Sequence, residues 1–190
     1  MTDRLDAQIA FLSEADKLKN VLRASRLHDN SRFENSAEHS WHVMLFALVL
    51  ADQADPEVDI QRVLKMLLLH DLVEIDAGDS PIHGTVDVEA QDAAEQAAAD
   101  RLFGLLPPDQ AQEFRMLWDE FEAAQTPDAL FGKSIDRIQT PISNLANGGG
   151  SWRAYNVTLD QLDARVGVPV RRGAPGLWAW ILPKLRGFFA

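Results

Sequence analysis

Apolar residues recur at helical spacing along almost the whole chain, and no alternating run is convincing enough to predict a β-strand. The clearest segment is IQRVLKMLLLHDLVEI, residues 60–75, which predicts a buried helix with Asp59 as its N-cap. A helix is also expected after Asn35, which stands three residues before a glutamate in the spacing of a capping box. Another should follow Thr126, because a proline comes directly after this potential N-cap. The pattern predicts an all-α fold, a single-domain helical bundle of roughly seven helices.

The segments at the two ends of the chain also have predictable features. An amphipathic segment runs from about Ala7 to Leu22, and its expected inner face consists of Ile9, Leu12, Leu18, Val21 and Leu22. The polar stretch that follows, RASRLHDNSRFENS, is too charged to be core. With no internal repeat or domain-sized linker, we expect one domain over residues 1–190. Its core should span about 14–165, and the aromatic tail at 168–190 should be core or a subunit interface.

Composition and charge narrow the classes of partner. The 190 residues are enough to bury one substantial core, and 29 acidic against 18 basic residues give a net charge of −11. This charge argues against nucleic acid or an anionic membrane as the main partner. A small phosphorylated ligand remains compatible, because a metal ion or a local basic cluster can reverse the field within one pocket.

The same composition bears on the compartment. The chain has no cysteine, which excludes disulfides and thiolate chemistry. Its N-terminus lacks the basic-then-apolar order of a signal peptide, and no apolar run approaches the roughly 20 residues that span a bilayer. We therefore expect a cytoplasmic protein without a membrane partner.

The candidate chemistry centres on His70 and Asp71 at the end of an apolar helix. Burying an imidazole and a carboxylate without partners costs several kcal/mol, roughly, so either a salt bridge or a metal ion must compensate them. Glu74 lies one helical turn beyond His70, which gathers three polar side chains at one helix end. A divalent cation accepts such mixed nitrogen and oxygen ligands. His39 on the preceding helix and Asp136 on a later one are the best-placed further ligands.

Three stretches carry a family resemblance: SAEHSWHVMLFALVLA, LLLHDLVEIDAGD and KSIDRIQ. They are similar to the HD-domain metal-dependent phosphohydrolases, and especially to the subgroup that acts as 5′-nucleotidases on deoxynucleoside monophosphates. The family signature is one histidine, an adjacent His-Asp pair far downstream and an aspartate on a later helix. His39, His70 with Asp71, and Asp136 match it in order. The resemblance covers about residues 14–165 and implies a helical bundle in which these four side chains bind Mn²⁺, Co²⁺ or Mg²⁺.

The resemblance also implies roles for residues around the metal. Glu74 would be a catalytic acid or base near the phosphate, Asp79 would contact the substrate, and Arg23 would orient the phosphate. The nucleotidases usually carry a tryptophan shortly after that arginine, whereas this chain reads RASRLHDNSRF. Arg26 and Arg32 therefore stay open as alternatives for the phosphate contact.

The function that follows from the resemblance is hydrolysis of (deoxy)nucleoside 5′-monophosphates to nucleoside and phosphate. Three alternatives stay open. One is an HD-type hydrolase of nucleoside di- or triphosphates, an alarmone or a cyclic dinucleotide. Another is a catalytically silent nucleotide- or metal-binding module, and the third is a helical scaffold that dimerises through its aromatic tail. A homodimer is expected in any case, because two-fold pairs are the commonest assembly.

Overall fold

The computed structural model describes residues 4–85 and 87–190, so residues 1–3 and 86 of the predicted domain lie outside the described residues. Helices account for most of the described chain, and the all-α prediction is confirmed. The longer helices are α1 (Arg4–Ala15), α2 (Ser36–Val49), α3 (Ile60–Leu69), α5 (Val88–Phe103), α6 (Pro108–Ala123), α7 (Pro127–Ala146) and α11 (Pro175–Phe189). Shorter ones are α4 (Glu74–Ala77), α8 (Gly150–Ala154), α9 (Leu159–Leu162) and α10 (Val168–Gly173). These single-turn pieces explain why the helices outnumber the roughly seven expected.

A short β-hairpin corrects the prediction that the chain has no strand. Strands β1 (Leu22–Arg26) and β2 (Phe33–Asn35) pair antiparallel between α1 and α2. Their buried side chains are polar, namely Ser25 on β1 and Glu34 on β2. Because an apolar alternation is what signals a half-buried strand, these polar strands left no recognisable pattern. The hairpin matters for the site, since it carries polar side chains into the interior.

The first helix differs in the face that it buries. It ends at Ala15, and a 3₁₀ turn continues the chain over Asp16–Asn20. Of the predicted inner face only Leu18 is fully buried, whereas the predicted Ile9, Leu12 and Leu22 are exposed. Phe11 is buried instead and meets the Phe114 ring edge-on, with 5.9 Å between the ring centroids. Helix α1 therefore turns the Phe11 ring toward the core instead of the predicted aliphatic side chains.

Helix α7 lies at the centre of the bundle, where α2, α3, α6, α10 and α11 all pack against it. Its inward face includes the fully buried Phe131, Ile135 and Ile138. The tail is part of this core, because Trp178 and Ile181 of α11 are also buried. The arrangement holds α7 rigidly beside α2 and α3, the helices that carry the candidate histidines.

The predicted helix through residues 60–75 is interrupted at its most polar point. Asp59 caps α3 as predicted, since its side chain accepts hydrogen bonds from the backbone N–H groups of Gln61 and Arg62. Helix α3 ends at Leu69, and a turn over residues 70–73 leads into α4. Among the described residues, no helix is both long enough and apolar enough to span a bilayer.

Candidate metal centre

Three of the predicted ligands meet in one buried cluster. His39 from α2, His70 from the turn after α3 and Asp136 from α7 each offer a ligand atom, and these atoms all lie within 4.8 Å of one another. The Nε2 atom of His39 is 3.0 Å from Asp136 Oδ1, and that of His70 is 3.7 Å from the same oxygen. Side chains separated by nearly a hundred residues in sequence therefore share one small volume.

Asp71 joins this cluster from the side of His70. Its Oδ1 lies 3.0 Å from His70 Nε2. On a continuous helix, adjacent side chains would point about 100° apart. The backbone at His70 is still helical, with φ −58° and ψ −42°, so the imidazole and the carboxylate converge through the reach of their side chains.

The donor atoms of the cluster suit a divalent cation. The Nδ1–H of His70 donates to the Leu67 carbonyl at 2.8 Å, which leaves Nε2 facing the oxygens of Asp71 and Asp136. This buried Nε2 has no hydrogen-bond partner in the described part of the chain. A nitrogen lone pair held against carboxylate oxygens requires a proton or a metal ion between them. Two imidazoles and two carboxylates form the mixed donor set that first-row divalent metals accept.

The shifted pKa values of His70 and Asp136 also favour a positive charge at this cluster. Burial lowers the pKa of the His70 imidazole, but the Asp71 and Asp136 carboxylates outweigh burial and raise this pKa to about 10. Burial likewise opposes ionisation of Asp136, yet the neighbouring His39 and His70 imidazoles hold its pKa well below the usual range. Without a metal, therefore, a proton resides on His70 where the carboxylates favour positive charge.

Arg23 lies beside the cluster among four carboxyl groups. From β1, its Nη1 donates to Asp71 Oδ2 at 3.0 Å and lies 3.9 Å from Glu74 and 3.7 Å from Asp79. Its Nε lies 3.7 Å from Glu34 on β2. One guanidinium thus links Asp71, a predicted ligand, with the two other residues that were predicted from the family resemblance.

Glu74 and Asp79 both have carboxyl groups that resist ionisation. Burial raises the pKa of Glu74 to about 9, and the neighbouring Asp71 carboxylate adds to that shift. The Ser36 hydroxyl donates to Glu74 Oε2 at 2.5 Å. Burial also raises the pKa of Asp79, whose Oδ2 accepts from the Ala24 backbone N–H at 3.3 Å. At neutral pH and without a metal, Glu74 therefore carries a proton within the site.

A cavity of about 180 Å³ opens beside these groups. Its wall includes His70, Asp71, Asp136, Arg23, Glu74 and Asp79, and further along Lys133, Arg137, Trp152 and Tyr155. Lys133 is paired with Glu122 at 2.9 Å, whereas Arg137 lies 3.7 Å from the carboxylate of Asp136. The cavity offers metal-ligating, proton-carrying and cationic groups to one small molecule.

The alternatives for the phosphate contact lie elsewhere. The Arg26 guanidinium stacks over the Phe33 ring at 4.4 Å, and Arg32 forms an exposed ion pair with Glu38. Neither lines the cavity, so Arg23 is the arginine of the three that the fold places at the site.

Several site residues were missed by the sequence analysis, notably Glu34, Ser36 and Gln139. All three are polar and buried. Burial of isolated polar residues leaves no hydrophobic pattern, and their neighbours in space come from distant segments. The only local signal was the capping box that follows Glu34, which marks the start of α2 but not the burial before it.

Comparison with protein families covers most of the chain, including the candidate metal centre. The family model described as HD domain matches residues 15–178, which include all four candidate ligands. The chain belongs to the HD-domain family. Among solved structures, this HD domain is similar to one from Magnetospirillum magnetotacticum MS-1 described as a predicted metal-dependent phosphohydrolase. The two share 45% identity over 98% of each chain, with a TM-score of 0.91.

Curated relatives of the HD domain include two 5′-deoxynucleotidases. It is 27% identical over 132 residues to human 5′-deoxynucleotidase HDDC2, covering 69% of this chain and 63% of that protein. It is 30% identical over 136 residues to 5′-deoxynucleotidase hdd1 of Schizosaccharomyces pombe, covering 69% of this chain and 67% of that protein. The match thus spans slightly less than two thirds of the human protein's length.

Proposed function

We propose that this HD domain is a metal-dependent phosphomonoesterase that hydrolyses (deoxy)nucleoside 5′-monophosphates to nucleoside and phosphate. The observation that carries the proposal is the cluster of His39, His70, Asp71 and Asp136, of which the last three line a cavity together with Arg23 and Glu74. The similarity to 5′-deoxynucleotidases supports the substrate class.

The four side chains His39, His70, Asp71 and Asp136 would hold the cation. A bound divalent cation withdraws charge from a phosphoryl group and makes water more acidic, which is the chemistry that monoester hydrolysis most needs. Two imidazole ligands favour Mn²⁺ or Co²⁺ over Mg²⁺, which prefers oxygen ligands.

The other residues of the site have roles that follow from their positions. Arg23 orients the phosphate, donates a hydrogen bond to Asp71 and lies within ion-pair distance of Glu74 and Asp79. Glu74, whose pKa is raised by burial in the metal-free site, would deliver a proton to the leaving 5′-oxygen and then take one up again from the attacking water. Asp79, fixed by the Ala24 amide, contacts the sugar side of the substrate.

A phosphate-release assay tests the proposal. The protein is loaded with Mn²⁺, Co²⁺ or Mg²⁺ and incubated with a panel of ribo- and deoxyribonucleoside 5′-monophosphates. We expect inorganic phosphate from at least one of them. Absence of phosphate from every monophosphate, with metal shown to be bound, would overturn the proposal. Release of pyrophosphate from triphosphates in the same panel would favour the other HD-type hydrolases.

A homodimer is the assembly we propose. Helix α2 exposes Leu45 and Val49 beside Trp180 of α11, and these three side chains line one apolar groove. A two-fold axis would let the same face cover itself. Val49→Lys should convert the dimer to monomer in sedimentation analysis, whereas Met116→Lys, an exposed apolar position on α6, should leave the dimer intact. A monomeric unaltered protein would contradict this assembly.

The expected cytoplasmic location stays a prediction.

A further inference from the structure

Three buried polar atoms without hydrogen-bond partners face one another beside the metal centre. They are Arg23 Nε, Glu34 Oε2 and His39 Nδ1, within the part of the chain that the structure describes. Glu34 Oε2 lies 3.5 Å from His39 Nδ1 and 3.7 Å from Arg23 Nε. Glu34 is only 4% exposed, so bulk water does not reach these atoms freely. Two nitrogen groups thus converge on one carboxylate oxygen.

We infer that Glu34 is a positioning residue of the metal centre, which accepts the Nδ1–H of His39 and so keeps His39 Nε2 available to the divalent cation. The inference rests on the proposed metal site and adds a residue that the family signature does not contain. Glu34 also faces Arg23, and so joins the metal ligand to the arginine that we propose for the phosphate.

The tautomer of the two histidines explains why such a partner is needed. Histidine ligands of metals almost always donate their second ring N–H to a carboxylate or carbonyl, which fixes the ring and the tautomer. For His70 the Leu67 carbonyl does this at 2.8 Å. For His39 the corresponding neighbour is Glu34. Both imidazoles then present Nε2 to the same point, where Asp136 also lies.

Glu34 is itself held in place from the opposite side. Its Oε1 accepts from Gln139 Nε2 at 3.1 Å, and Gln139 lies one turn after Asp136 on α7. The carboxylate therefore connects the hairpin strand β2 with the two helices that carry His39 and Asp136. Movement of any of these three elements would be transmitted to the ligand geometry.

The donors on both sides require a carboxylate rather than an amide. Glu34 accepts from Gln139 through one oxygen and faces His39 and Arg23 with the other. A glutamine has nearly the same shape but no negative charge, and its single acceptor oxygen can face His39 and Arg23 only if Gln139 turns its amide to accept from the new NH₂ group. Glu34→Gln therefore preserves packing and removes the charge on which the proposed function of the residue depends.

Calorimetric titration with Mn²⁺ alone tests the inference. We expect Glu34→Gln to weaken Mn²⁺ binding by about 10- to 100-fold, the usual effect of losing such an outer partner. Glu57→Gln, an exposed glutamate in the loop before α3, should bind Mn²⁺ like the unaltered protein. Melting temperatures of the metal-free proteins should agree within a few degrees, which separates a positioning effect from loss of fold. Equal Mn²⁺ affinity of Glu34→Gln and the unaltered protein would overturn the inference.

A second measurement needs no variant. In the Zn²⁺-loaded unaltered protein, long-range ¹H–¹⁵N NMR spectra should show His39 protonated at Nδ1 and metal-bound at Nε2. The opposite tautomer would overturn the inference even if Glu34→Gln failed to fold. Because neither measurement uses a substrate, a protein that binds metal through Glu34-positioned His39 but hydrolyses no nucleotide would contradict the proposed function alone.

Discussion

At the scale of single residues, the site is defined by ionisable groups that are buried together. Five carboxyl groups lie at the site, namely Asp71, Glu74, Asp79, Asp136 and Glu34, and the Arg23 guanidinium lies among four of them. Buried carboxylates in such excess require added positive charge or protons. In the metal-free site this requirement is met by protons on Glu74 and His70, whose pKa values are raised. In the metal-loaded site a divalent cation would meet it.

Glu74→Gln tests the proton-carrying role. The amide keeps the shape of the side chain and can still accept from Ser36, but it cannot transfer a proton. We expect kcat for phosphate release to fall by about 10²- to 10⁴-fold, the usual contribution of general acid–base catalysis. Mn²⁺ affinity measured by calorimetry should change little, because Glu74 is not among the proposed ligands. Unchanged kcat would exclude Glu74 as the acid or base.

The dependence of metal affinity on pH tests the state of His70. Its pKa of about 10 in the metal-free protein means that a metal must displace a proton from it throughout the neutral range. The apparent association constant for Mn²⁺ should therefore rise with pH, by about tenfold per unit for each proton released, up to about pH 10. Titrations at pH 6, 7 and 8 in buffers of different ionisation enthalpy measure this release. An affinity independent of pH would contradict it.

At the scale of elements, the hairpin and the turn after α3 create the site, and both escaped prediction for physical reasons. The helical periodicity predicted α2, α7 and most of α3, and with them the all-α fold, whereas the ordered set of His39, His70 and Asp136 came from the family resemblance. The apolar run across residues 63–76 hid the break after Leu69, because the buried positions continue through it. The polar burial of Glu34 could not be foreseen, since its partners come from α2, α7 and β1.

The N-cap of α2 tests how strongly this element depends on its first turn. The Asn35 side chain accepts from the Glu38 backbone N–H at 2.9 Å, and the Glu38 carboxylate accepts from the Asn35 backbone N–H at 3.3 Å. Asn35→Ala should lower the free energy of unfolding by about 1 kcal/mol. For a chain of this size that corresponds to about 2–4 °C in melting temperature. Gln112→Ala, an exposed position within α6, should shift the melting temperature by less, and an equal shift would argue against the cap.

At the scale of the whole molecule, charge is distributed unevenly between surface and site. The chain carries −11 overall, yet the cavity wall presents Lys133 and Arg137 beside the proposed metal. Because six carboxyl groups line the same wall, these cations alone do not reverse the local field, and an anionic ligand depends on the added positive charge of a bound metal. Helices α10 and α11 close the bundle over α7, so the aromatic tail stabilises the element that carries Asp136.

Metal binding should therefore stabilise the entire fold, because the ligands come from α2, the turn after α3 and α7. A ligand that binds only the folded state at 100 times its dissociation constant adds about 2.7 kcal/mol to the free energy of unfolding. At about 2–4 °C per kcal/mol, the melting temperature should rise by roughly 5–11 °C when Mn²⁺ is added at that ratio. Asp136→Asn, which lacks the shared carboxylate, should lose most of this shift in the same scan. Equal stabilisation of both proteins by Mn²⁺ would mean that the ion binds elsewhere.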